Sequence, residues 1–229
     1  MFLKYYQKID DALSYLLSSV SNEKKLIQNI FKKKYIVFVD VGTNEGNFLN
    51  FLSSFCNFKK IVCFEPIQEL TDKIDIKKYS NKILIYNIAL SNKKSTKSLY
   101  QYNISSQSSL YKQNNLFKSL KKLKKKIKIK TIKFDDKFND YKNIDFCKID
   151  VQGEELNVLQ GMKKNLINKK IKLIKIEISF IERYRGTNPN FLGIINYLAR
   201  FNYHLISISK IKYLKNKILL MDAYFQPKV

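Results

Sequence analysis

Arginine is nearly absent from this chain. Only three of its 43 basic residues are Arg (Arg183, Arg185 and Arg200), while the acidic residues number 19 and the formal net charge is +24. Such a charge suggests a nucleic-acid partner, because basic side chains neutralise phosphates. The scarcity of Arg argues against one, since phosphate and base readers favour the planar, bidentate guanidinium. Lys, Asn, Ile, Tyr and Phe are all abundant and all have A/T-rich codons. Codon bias alone would produce the same lysine excess, and that reading is preferred.

Other shortages exclude further classes. Three cysteines, Cys56, Cys63 and Cys147, form no CxxC pair, so a disulfide framework or a zinc site is not expected. Cys63 and Cys147 lie in strand-like runs and read as small buried hydrophobes in a reducing compartment. The single histidine, His204, sits in strand-like Asn202-Tyr-His-Leu-Ile and leaves a His-dependent triad without a second candidate. No apolar run approaches the roughly 18 residues of a membrane span. Asp10 and Asp11 break the apolar N-terminus, and no small-residue cleavage site follows, so the expectation is a cytoplasmic protein. GxGxxG and P-loop patterns are missing, which counts against nicotinamide, flavin and ATP chemistry.

What remains is a chain of 229 residues, 45% hydrophobic and 14% aromatic, enough for one α/β domain with a large core. Residues 3–31 carry helical spacing, with a break at Ser21-Asn-Glu. They read as helices covering one sheet face; a cap or a dimer surface is the alternative. From Tyr35 the pattern alternates. Strands are expected at 35–41, 61–64, 83–89, 144–151, 173–178, 203–208 and 218–225. Helices are expected at 45–55, 67–76, 154–167 and 191–200. This order predicts a doubly wound, mainly parallel seven-stranded sheet with one antiparallel strand from the closing pair. The domain assignment is an N-terminal helical extension over 1–33 and the α/β domain over 34–229.

Residues 92–140 interrupt the rhythm. They open with Ser-, Lys- and Gln-rich sequence, and then Ile127, Ile129 and Thr131 alternate with Lys. The alternation suggests an exposed edge strand. Its basic face is either solvated or a rim for an anionic substrate.

Two turns suggest a nucleoside pocket. Val37-Phe-Val-Asp40-Val-Gly42-Thr43-Asn44-Glu-Gly46 is a strand, a Gly-bearing turn and a helix start. Gly42 permits a tight bend and close approach to a ligand, and Gly46 permits close helix–strand packing. Asn44 tolerates the left-handed backbone region. Phe64-Glu65-Pro66 then ends the second strand. A carboxylate there accepts hydrogen bonds from both ribose hydroxyls, and Pro66 biases Glu65 toward an extended backbone. A nucleoside site without a phosphate cradle suits S-adenosylmethionine.

A third turn carries two acids. In Lys148-Ile-Asp150-Val-Gln-Gly-Glu154 a buried strand leads straight into a helix. Asp150 sits where the strand stops, where α/β sheets bind ligands. Asp150 is the first candidate for base or acceptor positioning. Glu154 and Glu177 follow it, with Lys148 on the same strand face. For Glu154 the structural alternative is a first-turn acid favoured by the helix dipole. For Glu177 it is an ion pair with a nearby Lys. Together the three carboxylates offer oxygen ligands to a hard divalent cation, although metal dependence is not expected.

These segments, with Asn87-Ile-Ala-Leu-Ser91, Thr131-Ile-Lys-Phe-Asp-Asp136 and Ile176-Glu177, resemble in order the FkbM family of methyltransferases over about 34–208. The resemblance implies the class I methyltransferase fold, S-adenosylmethionine as donor, and a hydroxyl acceptor on a sugar, glycan or polyketide. It implies that Asp40, Gly42, Asn44 and Glu65 hold the cofactor, with Thr43, Gly46 and Pro66 in the same two turns and Ala89 bordering the adenine. Thr43 and Phe134 depart from the residues usual at their positions. Residues 1–33 and 96–126 match nothing in the family and would carry acceptor specificity. Two alternatives stay open. Lys148, Asp150, Lys175 and Glu177 resemble the Lys-Asp-Lys-Glu set of RNA ribose 2′-O-methyltransferases. A non-enzymatic nucleoside-binding module is the other.

Overall fold

Two-sided apolar runs such as Val37-Phe-Val and Phe146-Cys147 cannot face water on either side, so they pair in the middle of a sheet. A computed structural model describes residues 22–32, 35–115, 122–138, 143–187 and 191–228. Its main sheet contains seven strands. These are β1 (Tyr35–Val41), β2 (Asn57–Phe64), β3 (Ile83–Tyr86), β7 (Ile144–Ile149), β8 (Ile171–Ser179), β9 (Tyr203–Leu214) and β10 (Lys217–Pro227). Their order is β3-β2-β1-β7-β8-β10-β9. β10 runs antiparallel to both its neighbours, and the other pairings are parallel, as anticipated.

Helices cover both faces. On one face the helix over residues 22–31 (α1) and α2 (Asn47–Ser53) bury Ile27, Phe31, Leu49 and Leu52 against Phe38, Phe146 and Leu173. On the other, α4 (Asp135–Phe138), α5 (Glu155–Gly161), α6 (Lys163–Ile167) and α7 (Phe191–Ala199) pack Phe138, Val158, Leu166 and Leu198 around Val39 and Ile149. Apolar residues of the first helical stretch before Asn22 lie outside the described residues. Among those described, no helix is long and apolar enough to cross a membrane. Cys63 and Cys147 are buried and Cys56 is half-buried, all three as free thiols, and burial pushes each up. His204 lies exposed on β9.

Several expectations need correction. The helix anticipated over 67–76 is only α3 (Gln68–Thr71), followed by a separate turn of 3₁₀ helix at Ile76–Tyr79. The break carries Ile74 into the core beside Gly46. The strand anticipated over 83–89 divides at Asn87. Asn87 donates from its side chain to the Glu65 carbonyl (3.2 Å) and to Thr71 Oγ1 (2.9 Å). The chain then joins a second sheet through β4 (Ala89–Leu90). That sheet has the order β4-β6-β5, with β5 at Ser95–Tyr102 and β6 at Leu123–Ile132. The lysine-rich strand is therefore central, not an edge. Its alternation holds, because Ile129 packs with Ile67, Leu70 and Leu99 while the lysines point away. β5 escaped notice because, apart from Leu99, its inner face is polar.

Candidate active site

The turn after β1 is built from backbone that few residues adopt. Gly42, Asn44 and Gly46 all have positive φ, at 79, 54 and 77°. Gly42 is also a close approach. A methyl added there would lie 1.9 Å from the Asp150 carbonyl oxygen, so only glycine lets the ends of β1 and β7 close together. The Gly42 and Thr43 amides donate to the Phe64 carbonyl at 2.9 and 3.2 Å, which joins this turn to the end of β2.

Glu65 completes the join. Its carboxylate accepts the Asn44 amide (3.0 Å) on one oxygen and the Ile67 amide (3.1 Å) on the other. Each oxygen keeps a lone pair for a ligand. Burial pushes the carboxyl up to about 7, opposed by those two amides and by Lys148.

A cavity of about 420 Å³ opens over these strand ends. That suits a nucleoside-sized ligand with room beside it. Its two ends differ. Glu65, Pro66, Ile67, Ala89 and Leu99 make one end largely apolar, with a single carboxylate. Lys148, Asp150, Lys175, Glu177, Lys210, Lys212 and Asp222 make the other end ionic. The segment from Ser105 to Leu110 supplies further lining through Ser105, Ser106, Ser108, Ser109 and Leu110. It is pinned by Ser109 Oγ donating to the Gln152 carbonyl (2.6 Å) and by Ser105 Oγ donating to Asn44 Oδ1 (3.2 Å).

Gly42, Thr43, Asn44, Glu65, Pro66 and Ala89 all line the cavity. Asp40 and Gly46 do not. Asp40 is fully buried beneath the floor, where its Oδ1 accepts from the Lys148 ammonium at 3.1 Å. Gly46 faces Ile74 in the core. Lys148 also donates to the Gly42 carbonyl (3.2 Å) and lies 3.7 Å from Asp150 Oδ2. Burial works against its charge, but Asp40 and Asp150 outweigh burial and keep it protonated.

Asp150 is the most accessible of these carboxylates, with 34% of its side chain exposed. It is held by Gln152, whose backbone is left-handed (φ 55°). Gln152 Nε2 donates to Asp150 Oδ1 (2.6 Å) and Glu177 Oε2 (3.0 Å), while its Oε1 accepts from Arg183 (2.9 Å) and the Tyr184 hydroxyl (2.8 Å). Arg183 forks, its other nitrogen donating to Glu177 at 2.7 Å. Burial and Asp150 push Glu177 up to about 7 against Arg183. The partner of Glu177 is thus Arg183, not the expected Lys.

Glu154 is elsewhere. It touches the cavity wall, but its carboxylate is consumed by Ser91 (2.5 Å), Tyr111 (2.7 Å) and Lys97, which join the second sheet to the first. The helix-start acid is Glu155, which accepts from the Val151 and Gly153 amides. Asp150, Glu154 and Glu177 therefore do not converge. Among the described residues no three His, Cys, Asp or Glu side chains gather as metal ligands.

Sequence reasoning missed Gln152, Arg183, Lys210 and Asp222. Arg183 left a signal. In a chain that meets nearly every basic need with lysine, a retained Arg marks a place where forked geometry matters.

The family profile described as "Methyltransferase FkbM domain" matches residues 40–205, more than two thirds of the chain. No curated protein matches it by sequence. Among solved structures, the fold is similar to that of the magnesium protoporphyrin IX methyltransferase of Synechocystis PCC 6803 with bound SAM. The identity is 7%, the TM-score 0.51, and the match covers 96% of this chain and 83% of the other. It is similar also to a bacterial Hen1 methyltransferase domain (11% identity, TM-score 0.51, 92% and 97% covered). A protein proposed to be an RNA methyltransferase from Pyrococcus horikoshii gives 9% identity and a TM-score of 0.50, with 92% and 83% covered. At these identities the likeness establishes the class I methyltransferase fold.

Proposed function

Since the chain belongs to the FkbM family of S-adenosylmethionine-dependent methyltransferases, we propose that it methylates a hydroxyl of a sugar, glycan or related small molecule. One observation carries this choice of acceptor. In a chain of net charge +24, the ion-paired groups at the ionic end of the cavity have no excess of positive charge. The buried cations there are matched: Lys148 with Asp40 and Asp150, and Lys175 with Asp222 and Glu23, which Lys210 shares, while Arg183 behind the cavity holds Glu177. Paired ions of this kind exchange hydrogen bonds with neutral hydroxyls, and against a phosphate backbone the cavity sets, among the described residues, a single unpaired lysine, Lys212 at its exposed rim. The same pairing disfavours the RNA ribose reading, because Lys148 and Lys175 already hold buried carboxylates.

The residues present fit the cofactor. Gly42 lines the cavity where the ends of β1 and β7 close together, and Glu65 keeps a free lone pair on each oxygen for two ribose hydroxyls. Ala89 and Leu99 supply apolar surface for a base. When bound, S-adenosylmethionine supplies an electrophilic methyl group on a sulfonium. The protein contributes alignment and proton removal. Asp150 faces the cavity, fixed by Gln152 and neighboured by Lys148. It accepts the hydrogen bond of the acceptor hydroxyl and takes its proton as the oxygen attacks. Gln152 fixes the direction of Asp150.

Incubation with methyl-labelled S-adenosylmethionine tests the reading. Label should enter neutral saccharides and not transcripts of ribosomal or capped RNA. Label in RNA, with affinity falling steeply as salt rises, would establish the other acceptor. A pH series adds a second check. Glu65 binds ribose best as a carboxylate, and its carboxyl is raised to about 7 by burial. Affinity for S-adenosylhomocysteine should therefore be flat above that pH and weaken as pH falls through it. The Glu65→Gln variant should bind more weakly and lose the slope.

A further inference from the structure

The ionic end of the cavity draws on segments outside the matched residues 40–205: α1 through Glu23, and the β9–β10 pair through Lys210 and Asp222. Asp222 lies level with Glu177 across β8 and β10. Its Oδ2 is 2.7 Å from the Lys175 ammonium and 4.0 Å from that of Lys210. Its Oδ1 has no hydrogen bond or ion pair among the described residues, and the side chain lines the cavity.

Behind Asp222 the structure is fixed. Lys175 is buried and also donates to Glu23, a fully buried carboxylate 152 positions earlier in the chain. Glu23 accepts the Tyr224 hydroxyl as well and lies 3.0 Å from Lys210. Burial would raise the Glu23 carboxyl, but Lys175 and Lys210 outweigh it and hold it ionised. Two carboxylates and two ammonium groups thus make a neutral cluster with one free acceptor, Asp222 Oδ1, on a side chain that lines the cavity.

The pairing registers set the geometry. Lys148 is level with Lys175, so Asp150 is level with Glu177, and Glu177 with Asp222. Asp150 and Asp222 are therefore two strand spacings apart, about 10 Å between backbone positions. Two side chains and one sugar ring fill that span.

Resting on the saccharide reading above, we infer that Asp222 is the specificity-determining residue for the acceptor. It takes a hydrogen bond from a second hydroxyl while Asp150 addresses the one methylated. Glu23 is a positioning residue that acts through Lys175. The preferred acceptor is a polyol with two free hydroxyls on one ring, not an isolated alcohol. α1 belongs to the acceptor site although it lies outside the matched region.

The test uses the full chain with a panel of methyl hexosides, methyl 6-deoxyhexosides and nucleotide-linked hexoses. Each accepted compound is compared with its monodeoxy analogues. Asp222→Asn, whose amide oxygen stays with Lys175 and whose NH2 replaces Oδ1, should raise the acceptor KM roughly tenfold or more, as expected for a lost hydrogen bond to a charged group. It should leave S-adenosylhomocysteine affinity within about twofold and erase the preference for the parent over one deoxy analogue. Glu23→Gln should move the same KM in the same direction by a smaller factor. A purely structural role would lower the melting temperature and leave the parent-to-deoxy ratio intact, and that result would overturn the inference. If Glu23→Gln fails to fold, the Asp222→Asn ratio decides alone. Methylation of a saccharide with an unchanged ratio in Asp222→Asn sinks this inference only. S-adenosylhomocysteine binding without methylation of any saccharide sinks the saccharide reading and this inference together.

Discussion

Replacing Asp150 by Asn should lower kcat by roughly 10²–10⁴-fold, the usual contribution of a positioned general base. S-adenosylhomocysteine affinity should be nearly unchanged. The substitution is nearly isosteric, and the contact with Gln152 Nε2, 2.6 Å in the wild type, survives because an amide oxygen also accepts. What is lost is the negative charge that receives the proton, and with it the second carboxylate beside Lys148 at 3.7 Å. Lys148 keeps Asp40 at 3.1 Å, so the floor of the site stays in place. Steady-state kinetics at saturating cofactor separate the possibilities. A drop in kcat with cofactor binding intact assigns Asp150 to the chemical step. A change of less than about fivefold in kcat/KM would leave it a structural acid, and Glu177 would become the next base to test.

Replacing Glu65 by Ala should act on the opposite end of the cavity. Glu65 receives two backbone amides in the free protein, and a bound ribose would add two hydroxyls to the same oxygens. Hydrogen bonds to charged groups contribute about 1.5–3 kcal/mol each. Losing two weakens S-adenosylhomocysteine binding by about 3 kcal/mol at the low end, roughly a hundredfold in Kd. The variant also frees the Asn44 and Ile67 amides, so the turn after β1 should loosen, and the Kd change includes that cost. Calorimetry reads the affinity directly. Unaltered binding in Glu65→Ala would remove the ribose from this carboxylate and with it the proposed orientation of the cofactor.

The parts legible in the sequence were those set by local backbone chemistry. Gly42 and Asn44 announced a tight turn with left-handed backbone, and both have positive φ, as does Gly46, expected only to permit close packing. Apolar runs bounded by turn residues announced the strands of the main sheet. Asp150 and Glu65 could be placed at strand ends because strand direction and period follow from pattern alone. What stayed hidden was partner choice across long separations. Nothing near Asp40 says that Lys148, 108 positions away, will neutralise it, or near Lys175 that Glu23 will. Asp40 therefore read as a cofactor ligand when burial had given it a lysine. Glu154 and Glu155 are adjacent, and only the arrival of Ser91, Lys97 and Tyr111 decides which one braces the turn before the helix and which one reaches the second sheet. Lys210 was invisible because β9 runs on to Leu214, past its apolar core, and Asp222 because one acid within an apolar run does not tell what its side chain will face.

The central claim is that one cavity holds S-adenosylmethionine between Glu65 and Asp150 and leaves the ionic end for a hydroxyl acceptor. A crystal structure with S-adenosylhomocysteine tests it most directly. The account predicts both ribose hydroxyls on the Glu65 carboxylate, the base beside Ala89 and Leu99, and the sulfur facing Asp150 with open space toward Asp222. A ribose bound away from Glu65, or a sulfur turned from Asp150 with the ionic end filled by the ligand itself, would contradict it.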